Sequence, residues 1–203
     1  ELDEEALVRL RKLIYPFVLN RKKNQVAKEL PEKSETVVYC EMDEEQRKVY
    51  RNYQMRVRKE LDEMMKEQGV AASSLHILQA FTKLRQICNS PRLLADDLQD
   101  QHLVDGVKMN VLLEQLEALV NEGHKVLVFS YFTSMLKLVE EKLNAKAISH
   151  VKITGDTVDR KGKVDSFQED ESIKVFLISL KAGGTGLNLT AADTIFIYVP
   201  WWN

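Results

Sequence analysis

Three nearly unbroken apolar runs stand in the second half of the chain, at 125–129, 174–179 and 194–199, with a shorter mixed run at 147–153. Runs without alternation mark strands covered on both faces, as in parallel sheets packed between helices. Between them the apolar spacing lengthens to three and four residues. Val111, Leu112, Leu116 and Leu119 form a helical stripe that Gly123 ends, and Leu136, Leu138, Val139 and Leu143 form another that Ser130 can cap. A further helix is expected from the 154–156 turn to about Gln168. This order of strands and helices, with right-handed crossovers, predicts an α/β fold: an open parallel sheet with helices on both faces. The strand ends at Ser130, at Thr154-Gly155 and at the glycine-rich turn after 179 then share one edge.

The first half reads as helix. Leu7, Leu10, Leu13, Ile14 and Val18 keep helical spacing, and Pro16 ends or kinks the run near Tyr15. Residues 35–42 alternate and predict one strand or an extended linker. Asp43 has Gln46 three positions on, a capping box, and Val49, Tyr53, Val57, Leu61 and Met64 carry a helix to about Lys66. After a break at Gln68-Gly69, a second helix from Ser74 aligns Leu75, Leu78, Phe81, Leu84 and Ile87 and stops before Ser90-Pro91. The two make an antiparallel helical insert whose Met and Phe stripe is core packing. The acidic stretch 96–105 is the expected domain boundary.

Lys and Arg number 29 against 31 Asp and Glu, a formal net charge of -2, so any nucleic-acid contact has to be local. Cys40 and Cys88 lie far apart with no C-x-x-C partner, which supports neither a disulfide framework nor a zinc site and points to a reducing compartment. His76 and His102 have no carboxylate or cysteine at ligand spacing, His150 faces solvent or the core, and no metal site is expected. No apolar run approaches the roughly 20 residues that span a bilayer. The acidic start ELDEEALVRL is no signal peptide and lacks an initiator Met, as a fragment of a longer protein would.

Gly183, Gly184 and Gly186 follow the 174–179 run, at the strand end where open α/β sheets bind ligands. They permit positive φ and close backbone approach, while Ser179, Lys181, Thr185 and Asn188 bring donors, so the loop suits a phosphate. Two fingerprints fail. The dinucleotide pattern G-x-G-x-x-G needs glycine where Leu189 stands, and the phosphate loop G-x-x-x-x-G-K-[ST] needs glycine at Thr157 and Ser or Thr at Val164. Asp43-Glu44-Glu45-Gln46 mimics the acidic Mg²⁺ box of helicases, but without an upstream phosphate loop it has nothing to hold and is read as a helix cap. The glycine turn also lacks a catalytic His, Cys or carboxylate, which weakens a nucleotide-cofactor enzyme as the reading.

The stretch LKAGGTGLNLTAADTIFIYVPWWN resembles motif V and its extension in the Swi/Snf-type branch of the superfamily-two helicase-related ATPases. Four further stretches, at 10–33, 45–50, 84–94 and 125–136, resemble the same family in the same order. The resemblance implies a RecA-like C-terminal lobe at 107–203, preceded by a linker strand and helical insert at 34–106 and by the tail of a first motor lobe at 1–33. The basic cluster Arg21, Lys22 and Lys23 would then contact phosphate backbone or nucleotide, with Arg21 near the lobe interface. The whole protein would be a DNA-dependent ATPase that translocates on double-stranded DNA, with ATP and Mg²⁺ as cofactors. This stretch alone would be inactive, since the family's phosphate loop and Mg²⁺ box belong to the first lobe and its arginine motif follows Trp202-Asn203. Carried over from the family, Gly184, Gly186 and Asn188 face the nucleotide. Ser130, Tyr131, Thr154, Gly155, Lys181 and Thr185 would offer groups to the DNA phosphates without reading base sequence, and by the same carry-over Lys181 and Trp202 would contact DNA directly, Trp202 lying against sugar or base faces. Thr154-Gly155-Asp156-Thr157 stands where the family has an Asp-Gly pair. The motif flavour is similar to bacterial members, implying a cytoplasmic protein of the nucleoid, or a nuclear one in a eukaryote. Implied partners are the first lobe, duplex DNA and other DNA-bound proteins, with no membrane. A nonenzymatic RecA-like docking module is the alternative on the same fold.

Overall fold

The computed structural model describes residues 3–19, 33–98, 100, 102–183 and 186–199, with backbone alone over 67–73. The Arg21–Lys23 cluster therefore lies outside the described residues. The chain divides into two compact units, Glu1–Tyr39 and Cys40–Asn203. The boundary expected near 106 is thus internal to the second unit, which holds both the helical insert and the sheet.

In the first unit, helix α1 (Glu4–Ile14) starts at Asp3, whose carboxylate accepts from the Glu5 N–H at 3.1 Å. Glu4 and Glu5 open the helix and Arg11 and Lys12 close it, in the sense the helix dipole favours. Pro16 sits in a 3-10 turn, Tyr15–Phe17, where the helix stops. Residues 35–42 form no strand ladder, so their alternation is that of an extended linker.

The second unit begins with α2 (Glu44–Asn89), capped by Asp43, whose carboxylate accepts from the Gln46 N–H at 2.8 Å. Helix is assigned over all 46 residues, yet Gln46 Nε2 donates to the Ile87 carbonyl at 2.7 Å, 41 positions away. Tyr53, Ile87 and Leu94 also share one core, with Val49 and Leu84 against it. A straight helix would hold Gln46 and Ile87 about 60 Å apart. The segment therefore doubles back into two antiparallel arms, the expected hairpin insert. Two details differ from expectation. Gln46 does not close a capping box: its buried amide also accepts from the Val107 N–H at 3.3 Å, so it clamps both arms to the next helix. The apolar stripe is only half core. Ile87 is buried, but Leu75, Leu78 and Phe81 are 62%, 61% and 56% exposed, because only the base of the hairpin meets the 3-10 turn Pro91–Leu94 and the helix α3 (Ala95–Leu98) after it.

Then follow α4 (Val107–Asn121), β1 (Val126–Ser130), α5 (Thr133–Ala145), β2 (His150–Ile153), α6 (Arg160–Glu169), β3 (Val175–Ser179), α7 (Leu180–Gly183) and β4 (Thr194–Ile197). The strands pair in parallel in the order β2-β3-β1-β4. On one face Leu112 and Leu116 of α4 and Met135, Leu136 and Leu143 of α5 cover Val126, Val128, Val175 and Leu177. On the other, Phe167 of α6 and Ala182 of α7 cover Leu127, Phe176 and Ile178. Strand β2 starts later than its sequence run because α5 ends in a left-handed residue, Ala147 at φ 54, with Ile148 N–H returning to the Leu143 carbonyl. Strand β4 is an edge strand. Phe196 and Tyr198 pack inward, whereas Ile195 and Ile197 are exposed, so full coverage fails there.

Side-chain ties join the hairpin to the sheet. Tyr198 donates its hydroxyl to the Asn89 carbonyl at 2.8 Å, and burial pushes that phenol far above its ordinary pKa. Arg92 reaches Asp105 at 3.3 Å and Glu141 of α5 at 3.1 Å. These ties explain why insert and sheet form one body.

Candidate nucleic-acid interface

The parallel register lines up the carboxyl ends of three strands: Ser130 pairs with Ser179, and Ile153, just before Thr154, pairs with Ile178. Ser130 and Ser179 are both buried. The Ser130 hydroxyl accepts from the Phe132 N–H and donates to the Phe132 carbonyl, each at 3.2 Å. This corrects two expectations. Ser130 presents no hydroxyl to a phosphate, and it does not cap α5, whose N-cap is Phe132 without a side-chain bond. A strand-end hydroxyl held this deep satisfies the turn's own backbone first. Ser179 likewise accepts from the Ala182 N–H at 3.3 Å and starts α7.

Outside that row, the edge opens to solvent. Lys181 is exposed, and its ammonium lies 5.6 Å from the centre of the half-buried Tyr131 ring. Thr154 closes a small turn, donating its N–H to Thr157 Oγ1 at 2.9 Å and accepting from the Thr157 N–H at 3.2 Å. Gly155, at the tip, is exposed, and nothing stands within 4 Å of where a Cβ would sit. Arg160 donates to the Gly155 carbonyl at 3.4 Å. In the sequence Arg160 carries no signal beyond being a cation that opens the helix after that turn.

The glycines of the turn do different jobs. Gly183 is helical, and a Cβ there would come within 2.9 Å of the Phe129 ring and 3.3 Å of Ile178, so it lets α7 lie directly on the sheet. Gly186 has φ +66, a left-handed backbone that favours glycine, with open space around it, and Asn188 beside it is exposed. Gly184, Thr185 and Trp202 lie outside the described residues. The structure thus brings Tyr131 and Lys181 into contact, sets Thr154 and Gly155 on the neighbouring strand end, and leaves Gly186 and Asn188 open beyond α7. Among the described residues, no group of three or more His, Cys, Asp or Glu could hold a metal ion, and no helix is long and apolar enough to cross a membrane.

Residues 1–93 match the SNF2-related domain and residues 107–203 the helicase conserved C-terminal domain. The chain belongs to the SNF2-related helicase family. It is 34% identical over 205 residues to a Mycoplasma genitalium protein, "Uncharacterized ATP-dependent helicase MG018", covering 100% of this chain and 19% of that protein. In structure it is similar to the Sulfolobus solfataricus SWI2/SNF2 ATPase C-terminal domain, with a TM-score of 0.67 at 28% identity over 82% of this chain and 72% of that one. It is also similar to the SWI2/SNF2 ATPase core of the same organism in complex with dsDNA, with a TM-score of 0.69 at 28% identity over 96% of this chain and 41% of that one. The parallel sheet therefore has the RecA-like fold of the SNF2-related C-terminal domain it resembles. The chain spans about a fifth of the length of the curated relatives it matches.

Proposed function

We propose that this chain is the second motor lobe of an ATP-dependent translocase on double-stranded DNA and completes an ATP site with a first lobe. The observation that carries this reading is the open carboxyl edge of the sheet, where Lys181 is exposed against Tyr131 beside the Thr154-Gly155 turn. An ammonium and a glycine backbone with no side chain in the way suit phosphate oxygens and discriminate no base, as a motor that tracks along DNA requires. The similar Sulfolobus solfataricus SWI2/SNF2 ATPase core in complex with dsDNA supports the choice of ligand. Thr185 and Trp202 extend the DNA contacts on this reading.

Gly186 and Asn188, with Gly184, take the nucleotide side. The positive φ and open space at Gly186 fit a phosphate brought close to the backbone. ATP, when bound, supplies the phosphoryl group whose loss drives movement. For the Mg²⁺ that accompanies ATP, the described residues offer no group of three or more His, Cys, Asp or Glu. Residues 1–33 act as the tail of the first lobe, 34–106 as linker and insert, and 107–203 as the C-terminal lobe. The protein works where DNA is, in the nucleoid of a bacterium or the nucleus of a eukaryote, and meets other DNA-bound proteins there.

Duplex binding by the chain, measured by fluorescence anisotropy across a salt series, tests the reading. Affinity should fall linearly on a log–log plot, and Lys181→Ala should weaken binding and reduce the salt slope by about 1. Binding without any salt slope would remove the DNA function and leave a docking module.

A further inference from the structure

We propose that Tyr131 is a positioning residue: its ring holds the Lys181 ammonium in the orientation that meets DNA, and the helical hairpin supports that ring from behind. The inference rests on the DNA reading of Lys181 and adds to it how the contact is aimed.

Three ring contacts run in series from the hairpin to the edge. Arg85, on the second arm of α2, lies over the Phe132 ring with its guanidinium carbon 5.8 Å from the centroid. Phe132, buried, meets Tyr131 edge-on, with centroids 5.6 Å apart and planes at 90°. Tyr131 in turn carries Lys181 at 5.6 Å. A T-shaped aromatic pair is a favoured geometry, and a cation within about 6 Å of a ring centroid is attracted to its face. The backbone under this stack is pinned as well, because Ser130 bonds both the N–H and the carbonyl of Phe132 across Tyr131. The platform is therefore rigid where it needs to be.

The lysine is not rigid by itself. Its four-carbon stem leaves an exposed ammonium many rotamers, and ordering it at the moment of binding costs entropy. A ring that already holds the head reduces that cost. The attraction is worth roughly a two- to fivefold change in affinity.

The test uses the 203-residue chain and duplex DNA. Tyr131→Leu should weaken binding roughly two- to fivefold, Tyr131→Phe should restore most of the loss, and Tyr131→Leu should have no further effect once Lys181 is Ala. Independently of any ligand, the Lys181 side-chain methylene protons in the wild-type NMR spectrum should sit upfield of free lysine through the ring current of Tyr131. Normal methylene shifts, or additive losses from Tyr131→Leu and Lys181→Ala, overturn the positioning role. If the methylene protons are shifted but Lys181→Ala leaves duplex affinity unchanged, the DNA reading itself is wrong and the inference falls with it.

Discussion

The two ends of the sheet are built in opposite ways. At the amino end every prominent cation has its partner inside the chain. Buried Lys125 donates to the carbonyls of Phe167 at 2.8 Å and Asp170 at 3.0 Å, at the close of α6, and its ammonium lies 5.3 Å from the Phe167 ring. His124 bonds Asp193 at 2.8 Å, tying the start of β1 to the start of β4, and Lys174 donates to the Gly123 carbonyl at 3.2 Å. At the carboxyl end Lys181, Gly155, Gly186 and Asn188 are exposed. One end consolidates the fold while the other keeps its groups available, the division expected of open α/β sheets that bind ligands outside their strands' carboxyl ends.

Replacing Lys125 is the severest way to break this contrast. Lys125→Ala strips one hydrogen bond from the buried Phe167 carbonyl and one from the part-buried Asp170 carbonyl, and empties the space of a long stem, a loss of about 3 kcal/mol in urea unfolding. Duplex affinity of the folded fraction should stay at the wild-type value. A loss below about 1 kcal/mol would show that the amino end is not held by this residue.

Gly183→Ala attacks the other end. Its Cβ would meet the Phe129 ring at 2.9 Å, so α7 must lift or the ring must yield, at about 1–2 kcal/mol. Gly155→Ala, with nothing within 4 Å, should be neutral or stabilising by roughly 0.5 kcal/mol. Thermal melts of the two variants side by side check the difference, and equal melting points would remove the packing role given to Gly183.

The smallest effect is a pH dependence at the amino end. The hydrogen bond to Asp193, followed by that residue's charge, raises the His124 pKa above 6.5. Burial pushes the Asp193 carboxyl up, but hydrogen bonds from His124 and Thr194 outweigh it and hold its pKa below 3.8. The histidine's contribution is therefore complete below 6.5 and disappears as pH rises through its higher folded value, while the aspartate's is lost only in strong acid. The melting-point gap between wild type and His124→Gln should be full below pH 6.5 and shrink as pH rises through the histidine's raised folded pKa. A gap independent of pH would mean that the pair carries no charge-dependent stability.

Much of the architecture was legible beforehand. The β1 and β3 runs are apolar throughout because both of their faces are covered, and Gly123 ended α4 because a helix closing with φ +94 favours glycine. The hairpin was legible from two stripes with a break between them, but its exposed outer half was not. Leu75, Leu78 and Phe81 carry the same spacing as Leu84 and Ile87, and spacing says nothing about how far a covering body extends. The candidate edge divided in the same way. Lys181 and Gly186 were readable as a cation and a glycine at a strand end, whereas the burial of Ser130 depends on how the turn after β1 bonds to itself, and Arg160 becomes visible only once Gly155 is beside it.

The residues in their order were enough to specify parallel strands, their helical covers and the edge on which the loops gather, because periodicity and turn chemistry act over a few positions. Tertiary structure decided that Gln46 clamps Ile87, that Tyr198 meets Asn89, and that Arg85, Phe132, Tyr131 and Lys181 stack in series. Those pairings join positions up to 109 apart in the chain, and only the folding of the hairpin on itself, its closing onto the sheet and the pairing of β1 with β3 bring them together.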